Sequence, residues 1–94
     1  MGFLSRLRGK KSTFTGTVAR TAPVMTSSSN GTAFFGVRFR EQKEWLRVYT
    51  NDLALAEDIA FLAPGEAVRI DVRGSFRAEK SQQTWYRLES VAVT

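Results

Sequence analysis

The six residues Glu44-Trp45-Leu46-Arg47-Val48-Tyr49 alternate two kinds of side chain at the two-residue period of a β-strand. Leu46 and Val48 fall on one face, as core would. Trp45, Arg47 and Tyr49 fall on the other, setting an indole, a guanidinium and a phenol side by side where solvent would be. Bases stack on aromatic faces and phosphates pair with guanidinium groups, so this pattern points to a nucleic-acid platform. The segment Ala33 to Arg40 repeats it. There Ala33, Phe35, Val37 and Phe39 form the apolar side, and Phe34, Gly36, Arg38 and Arg40 the other.

A second reading of the same residues stays open. An outward Trp45 also suits barrel or dimer packing, because aromatics on an open sheet face serve protein interfaces too. A patch of Phe34, Trp45 and Tyr49 left in water would be an unusual surface for a monomer, so both readings imply a partner.

Composition narrows the chemistry. Ninety-four residues with 43% apolar and 12% aromatic content suit one domain with one core. The absence of Cys and His removes thiolate nucleophiles, imidazole bases, disulfides and the usual transition-metal ligands. Ser27-Ser28-Ser29 has no base nearby, and Glu57-Asp58 are neighbours on a helix that diverge rather than converge. No enzyme activity, cofactor, metal or small-molecule substrate is therefore expected. No apolar run approaches the roughly 20 residues of a membrane span, and Met1 to Lys11 lacks the features of a signal peptide. The expectation is a cytoplasmic protein.

The formal charge of +5 is unevenly spread. Arg6, Arg8, Lys10 and Lys11 supply most of it. From Ser12 onward ten basic residues face nine acidic ones, so an electropositive groove requires segregation of charge. Arg38, Arg40, Arg47, Arg69 and Arg73 sit at alternating strand positions, whereas Asp52, Glu57, Asp58 and Glu66 cluster elsewhere. Asp71, between Arg69 and Arg73, also permits a plain cross-strand ladder of ion pairs there.

The elements that must carry these residues follow from the same periodicities. Residues 1–11 form a basic arm, read as a mobile leader, an arm along nucleic acid, or an amphipathic anchor on anionic lipid. Residues 12–94 form the domain. Thr13 to Arg20 is strand one, with Phe14, Gly16 and Val18 against Thr15, Thr17 and Ala19. Thr21 to Thr32, with Pro23, three serines and Asn30-Gly31, is predicted as a flexible loop ending in a turn. Strand two is Ala33 to Arg40 and strand three carries Trp45. Asn51 or Asp52 caps a helix over Leu53 to Leu62, stopped by Pro64-Gly65. Strand four, Ala67 to Phe76, has Gly74 as a bulge or bend. A polar hairpin loop, Arg77 to Thr84, leads to strand five, Trp85 to Val93, with Tyr86 and Leu88 inward.

Five strands with one helix between the third and fourth is the order of the oligonucleotide/oligosaccharide-binding barrel (OB-fold), an all-β class. Its usual binding surface, strands two and three with two flanking loops, coincides with the aromatic and basic face above.

The residues from Glu44 to Arg77 resemble bacterial single-stranded DNA-binding proteins. The features are an acidic-Trp-x-Arg-Val strand, Leu55-Ala56-Glu57 in the helix, a closing Leu-x-x-Gly at Leu62 to Gly65, and Val-x-Ile-x-Val-x-Gly-x-Phe-Arg from Val68. Asn30-Gly31-x-Ala-x-Phe and Gly16 extend the resemblance over nearly all of the chain after the arm. Primosomal replication protein N is a relative of the same build. The resemblance implies a base-stacking role for Trp45 and basic contacts from Arg47 and Arg77. The family usually stacks a further aromatic in the loop before strand five. This chain has none between Arg77 and Thr84, which leaves Trp85, either flanking the groove or capping the barrel. The turn between strands two and three is shorter than the family's, and the sequence to Thr94 lacks its acidic tail, so the family's partner network is not implied.

The expected function is sequence-tolerant binding of single-stranded DNA, with RNA not distinguished, in replication, recombination or DNA transfer. Phe34, Trp45, Tyr49 and Trp85 would stack bases, and Arg38, Arg40, Arg47 and Arg77 would meet phosphates. The family resemblance implies a homo-oligomer, dimer or tetramer. The rival expectations are a protein-interaction barrel using the same face, and a membrane-surface adaptor held by the arm.

Overall fold

The computed structural model describes residues 10–27 and 31–94. Most of the arm, residues 1–9, and residues 28–30 of the serine-rich segment lie outside them. The elements are β1 (Lys11–Ser27), β2 (Thr32–Phe39), β3 (Trp45–Thr50), α1 (Leu53–Ala60), β4 (Ala67–Arg77) and β5 (Thr84–Val93). The strands close into a barrel in the order β1-β2-β3-β5-β4, antiparallel except for a short parallel contact between β3 and β5 at Val48↔Tyr86 and Tyr49↔Arg87. This is the five-stranded OB architecture expected, with its helix between the third and fourth strands.

The inward alternation is as predicted. Phe35, Val37 and Phe39 of β2, Leu46 and Val48 of β3, Val68, Ile70 and Val72 of β4, and Leu88 of β5 form one buried cluster with Val18, Ile59 and Leu62. Tyr86 packs against it from the edge. Asp52 caps α1, its Oδ1 accepting from Ala54 N–H at 2.9 Å and Leu55 N–H at 3.4 Å. Ile59 and Leu62 turn inward and plug the barrel on that side. Among the described residues, no helix is long and apolar enough to cross a membrane.

The first strand departs from expectation. β1 runs 17 residues, through the whole of Thr21 to Ser27, which the sequence predicts as loop. Its first part pairs with β4 (Lys11↔Arg73 to Thr17↔Ala67) and its second with β2 (Val18↔Phe39 to Ser27↔Thr32). Each part thus has one side without a strand partner. A strand that changes partners accommodates a proline where one side is unpaired, and a register shift directly follows Pro23. Lys11, expected in the arm, is its first residue.

A second register shift, at Ala19, matters more for the surface. Val18 pairs with Phe39 and Arg20 with Arg38, so two steps along β1 match one step along β2. Such a bulge reverses which side chains face inward beyond it. Val18 stays in the core while Arg20 emerges on the outer face. On β4, Gly74 has φ +81° within the shift between Val72 and Ser75, as the bulge predicted there requires.

Candidate nucleic-acid interface

Directly opposed residues of an antiparallel pair share a face, so the register gives the surface row by row. Arg20, Arg38 and Trp45 form one row across β1, β2 and β3, and Ala22, Gly36 and Arg47 form the next. Phe34 and Tyr49 form a third, with Arg87 of β5 beside Tyr49. The structure therefore brings Phe34, Arg38, Trp45, Arg47 and Tyr49 onto one outer face, and adds Arg20 and Arg87.

Gly36 explains how the indole sits. A Cβ at Gly36 would stand 2.9 Å from Trp45 Cε3, so the ring occupies the space a larger residue would need. Trp45 is half-buried in this seat. Arg47 Nη1 reaches back to donate to the Trp45 carbonyl at 3.4 Å. The indole separates two concavities. A groove of about 240 Å³ runs on the β1 side, lined by Ala22, Val24, Gly36, Trp45 and Arg47. A cleft of about 650 Å³ opens on the other, between the start of β3 and the β4–β5 turn.

Four aromatic side chains form a chain of ring contacts nearby. Phe34 stacks on Tyr49 at 6.0 Å between centroids, Tyr49 meets Phe76 edge-on at 5.2 Å, and Phe34 stands edge-on to Trp85 at 5.3 Å. Phe76 and Trp85 are themselves opposed across the β4–β5 hairpin. These edge and offset arrangements are the favoured ones for ring quadrupoles. Trp85 is only 7% exposed, whereas Phe76 is 43% exposed. Trp85, expected among the stacking residues, thus presents no free face: it holds Phe34 from behind. Phe76 takes the accessible place that the sequence assigned to Trp85.

Charge is segregated across the barrel. Among the described residues the ion pairs join Arg69 to Asp71, and Arg73 and Lys11 to Glu89. This is the ladder reading of β4, on the β1–β4–β5 side, and it consumes those cations locally. Asp71 also accepts from Thr13 Oγ1 at 2.7 Å and Ser90 Oγ at 2.8 Å. These hydroxyl bonds, with Arg69 beside them, lower its pKa from 3.8 to about 2. Glu41, beside Arg40, is held by the Thr17 N–H at 3.0 Å, and this bond lowers its pKa too.

Arg20, Arg38, Arg47 and Arg87 take part in none of those ion pairs. Arg20 and Arg38 are exposed and directly opposed, an arrangement of like charges that favours an anion between them. Arg40, in the turn just after β2, is the exception. Its guanidinium lies 3.7 Å from where a Cβ on Gly65 would stand, at the turn before β4. Arg77 lines the larger cleft, its Nε donating to the Gln82 carbonyl at 3.1 Å.

Sequence reasoning missed Arg20, Phe76 and Arg87. Arg20 carried no signal, because the bulge at Ala19 alone decides its face. Arg87 was legible, since it alternates with the inward Tyr86 and Leu88.

No family model matches the chain, and no curated protein does. Solved structures do. A mitochondrial single-stranded DNA-binding protein of S. cerevisiae superposes with a TM-score of 0.64 at 10% identity, covering 90% of this chain and 95% of that one. A small single-stranded DNA-binding protein from Streptomyces coelicolor gives 0.59 at 15% identity, covering 92% and 93%. An OBody bound to hen egg-white lysozyme gives 0.59 at 17% identity, covering 95% and 85%. At these identities the likeness is one of architecture. The chain has the OB-fold, in the form that single-stranded DNA-binding proteins also have.

Proposed function

We propose that the protein binds single-stranded DNA through the outer face of β2 and β3, with little dependence on sequence. The observation that carries this reading is Trp45 seated on Gly36 between two concavities and flanked by Arg38 and Arg47, which no carboxylate neutralises among the described residues. Bases stack on Trp45 and on the Phe34, Tyr49 and Phe76 cluster, each contributing roughly 1–3 kcal/mol. Phosphates meet Arg20, Arg38, Arg47 and Arg77. Arg40 and the charge of the basic arm help to hold the phosphates. Trp85 contributes as the support of Phe34. The likeness to two single-stranded DNA-binding proteins supports this assignment. The physiological role is protecting or presenting single strands in replication, recombination or DNA transfer, as a cytoplasmic homo-oligomer.

The test is quenching of tryptophan fluorescence by an oligo-dT of about 30 nucleotides, against a duplex of equal length. Salt-sensitive quenching by the single strand, weakened in Trp45→Ala, supports the reading. A folded protein that binds no single strand at low salt overturns it.

A second reading has its own support. The near-neutral balance after Ser12, and the same fold's occurrence in an OBody bound to lysozyme, favour a protein partner on this face. A partner of that kind would be displaced little by salt and not at all by oligo-dT.

A further inference from the structure

Arg20, Arg38, Arg47 and Arg87, which belong to none of the ion pairs among the described residues, stand one on each of four successive strands of the barrel, β1, β2, β3 and β5. Arg20 and Arg38 are directly opposed. Arg47 opposes Gly36, and Arg87 lies beside Tyr49, so each of the last two steps crosses to the next strand and moves two residues along it. With strands about 4.8 Å apart and outward positions about 6.6 Å apart, each such step measures about 8 Å and the whole line about 20 Å. The line is therefore diagonal to the strands. Trp45 falls on one side of it, and Phe34 and Tyr49 fall on the other. A course from Arg38 past Trp45 to Arg77 on β4 would cross β3 and β5 and reach neither Phe34 nor Tyr49. Asp52 lines the same cleft as Arg87, yet its Oδ1 caps α1 and forms no ion pair with that arginine. Spaced guanidinium groups pair with successive phosphates while the bases turn aside to stack.

We infer that the sugar-phosphate backbone of a bound single strand crosses the barrel diagonally along Arg20, Arg38, Arg47 and Arg87, with bases turned to Trp45 on one side and to Phe34 and Tyr49 on the other. Arg87 is thereby a phosphate contact on β5, beyond the face of β2 and β3. The inference rests on the single-strand reading above and adds to it the course of the strand; Arg77 then serves strands long enough to continue past this line.

An oligo-dT of about eight nucleotides, within the reach of one OB-fold, covers the line. Titrated over a range of salt, Arg87→Ala flattens the slope of log K against log salt by about 0.7, the share of one phosphate contact on a single strand. Arg20→Ala and Arg87→Ala combined flatten it by about 1.4, since the two ends of the line touch different phosphates. Arg69→Ala removes the same charge on the β1–β4–β5 side and leaves the slope unchanged. An Arg87→Ala slope equal to the wild type's overturns the inference and leaves the platform standing. So does equal flattening in Arg87→Ala and Arg69→Ala, since net charge then accounts for both, and so does a double variant no flatter than either single one, since the two arginines then share a phosphate. Absence of binding by the wild type overturns the inference together with the reading beneath it.

Discussion

Trp45 and Gly36 fit as ring and seat: a methyl group on residue 36 would stand 2.9 Å from Trp45 Cε3, closer than packed carbon atoms approach. The indole therefore keeps its position because the neighbouring strand carries no side chain there. Gly36→Ala tips the ring outward without touching the core. Acrylamide quenching distinguishes half-buried Trp45 from buried Trp85, and the accessible fraction should rise in this variant. Binding of oligo-dT should weaken by about tenfold, the loss of roughly one stacked base.

The two tryptophans should separate by what they do. Trp85 is buried against Phe34, so Trp85→Ala is expected to destabilise the fold by about 3–5 kcal/mol, read as a lower denaturation midpoint. Trp45→Ala should leave the midpoint nearly unchanged and remove most fluorescence quenching by DNA. Equal stability losses in the two variants would contradict the division of roles.

Arg20 offers a test of the phosphate track. On a single strand each phosphate contact contributes about 0.7 to the slope of log K against log salt, so Arg20→Ala should flatten the slope by about that amount. Arg69→Ala, which breaks only the pair with Asp71 on the other side of the barrel, should leave it unchanged.

Asp71 ties β1, β4 and β5 together through Thr13, Ser90 and Arg69. Its pKa falls from 3.8 in the unfolded chain to about 2 in the fold, so the ionised form stabilises the native state. That contribution is complete above pH 3.8 and is lost as the pH falls toward about 2. Acid titration of stability should show a loss over this window that is smaller in Asp71→Asn. Glu41 and Glu89, also lowered, account for part of the loss that remains.

How much of this was legible in the sequence varies by element. β2, β3 and β4 were readable because each alternates strictly, and burial on one side enforces the period of two. Phe35, Val37, Leu46, Val48, Ile70 and Val72 are in the core for that reason. Asp52 as cap and Gly74 as bulge were legible because each supplies something local, a side-chain acceptor in one case and a positive φ in the other. Phe34, Arg38, Trp45, Arg47 and Tyr49 followed as the opposite face of the same alternation. Only the register decided the rest. Pro23 suggested a loop, yet pairing with β2 extends β1 through it as far as Ser27, since non-local hydrogen bonds outweigh local preference. The bulge at Ala19 turned Arg20 outward, and the β4–β5 hairpin set Trp85 beneath Phe34 and left Phe76 in the open. Local chemistry along the chain determined the strands and their two faces, whereas partner strands far apart in sequence decided which outward residues meet and which are covered.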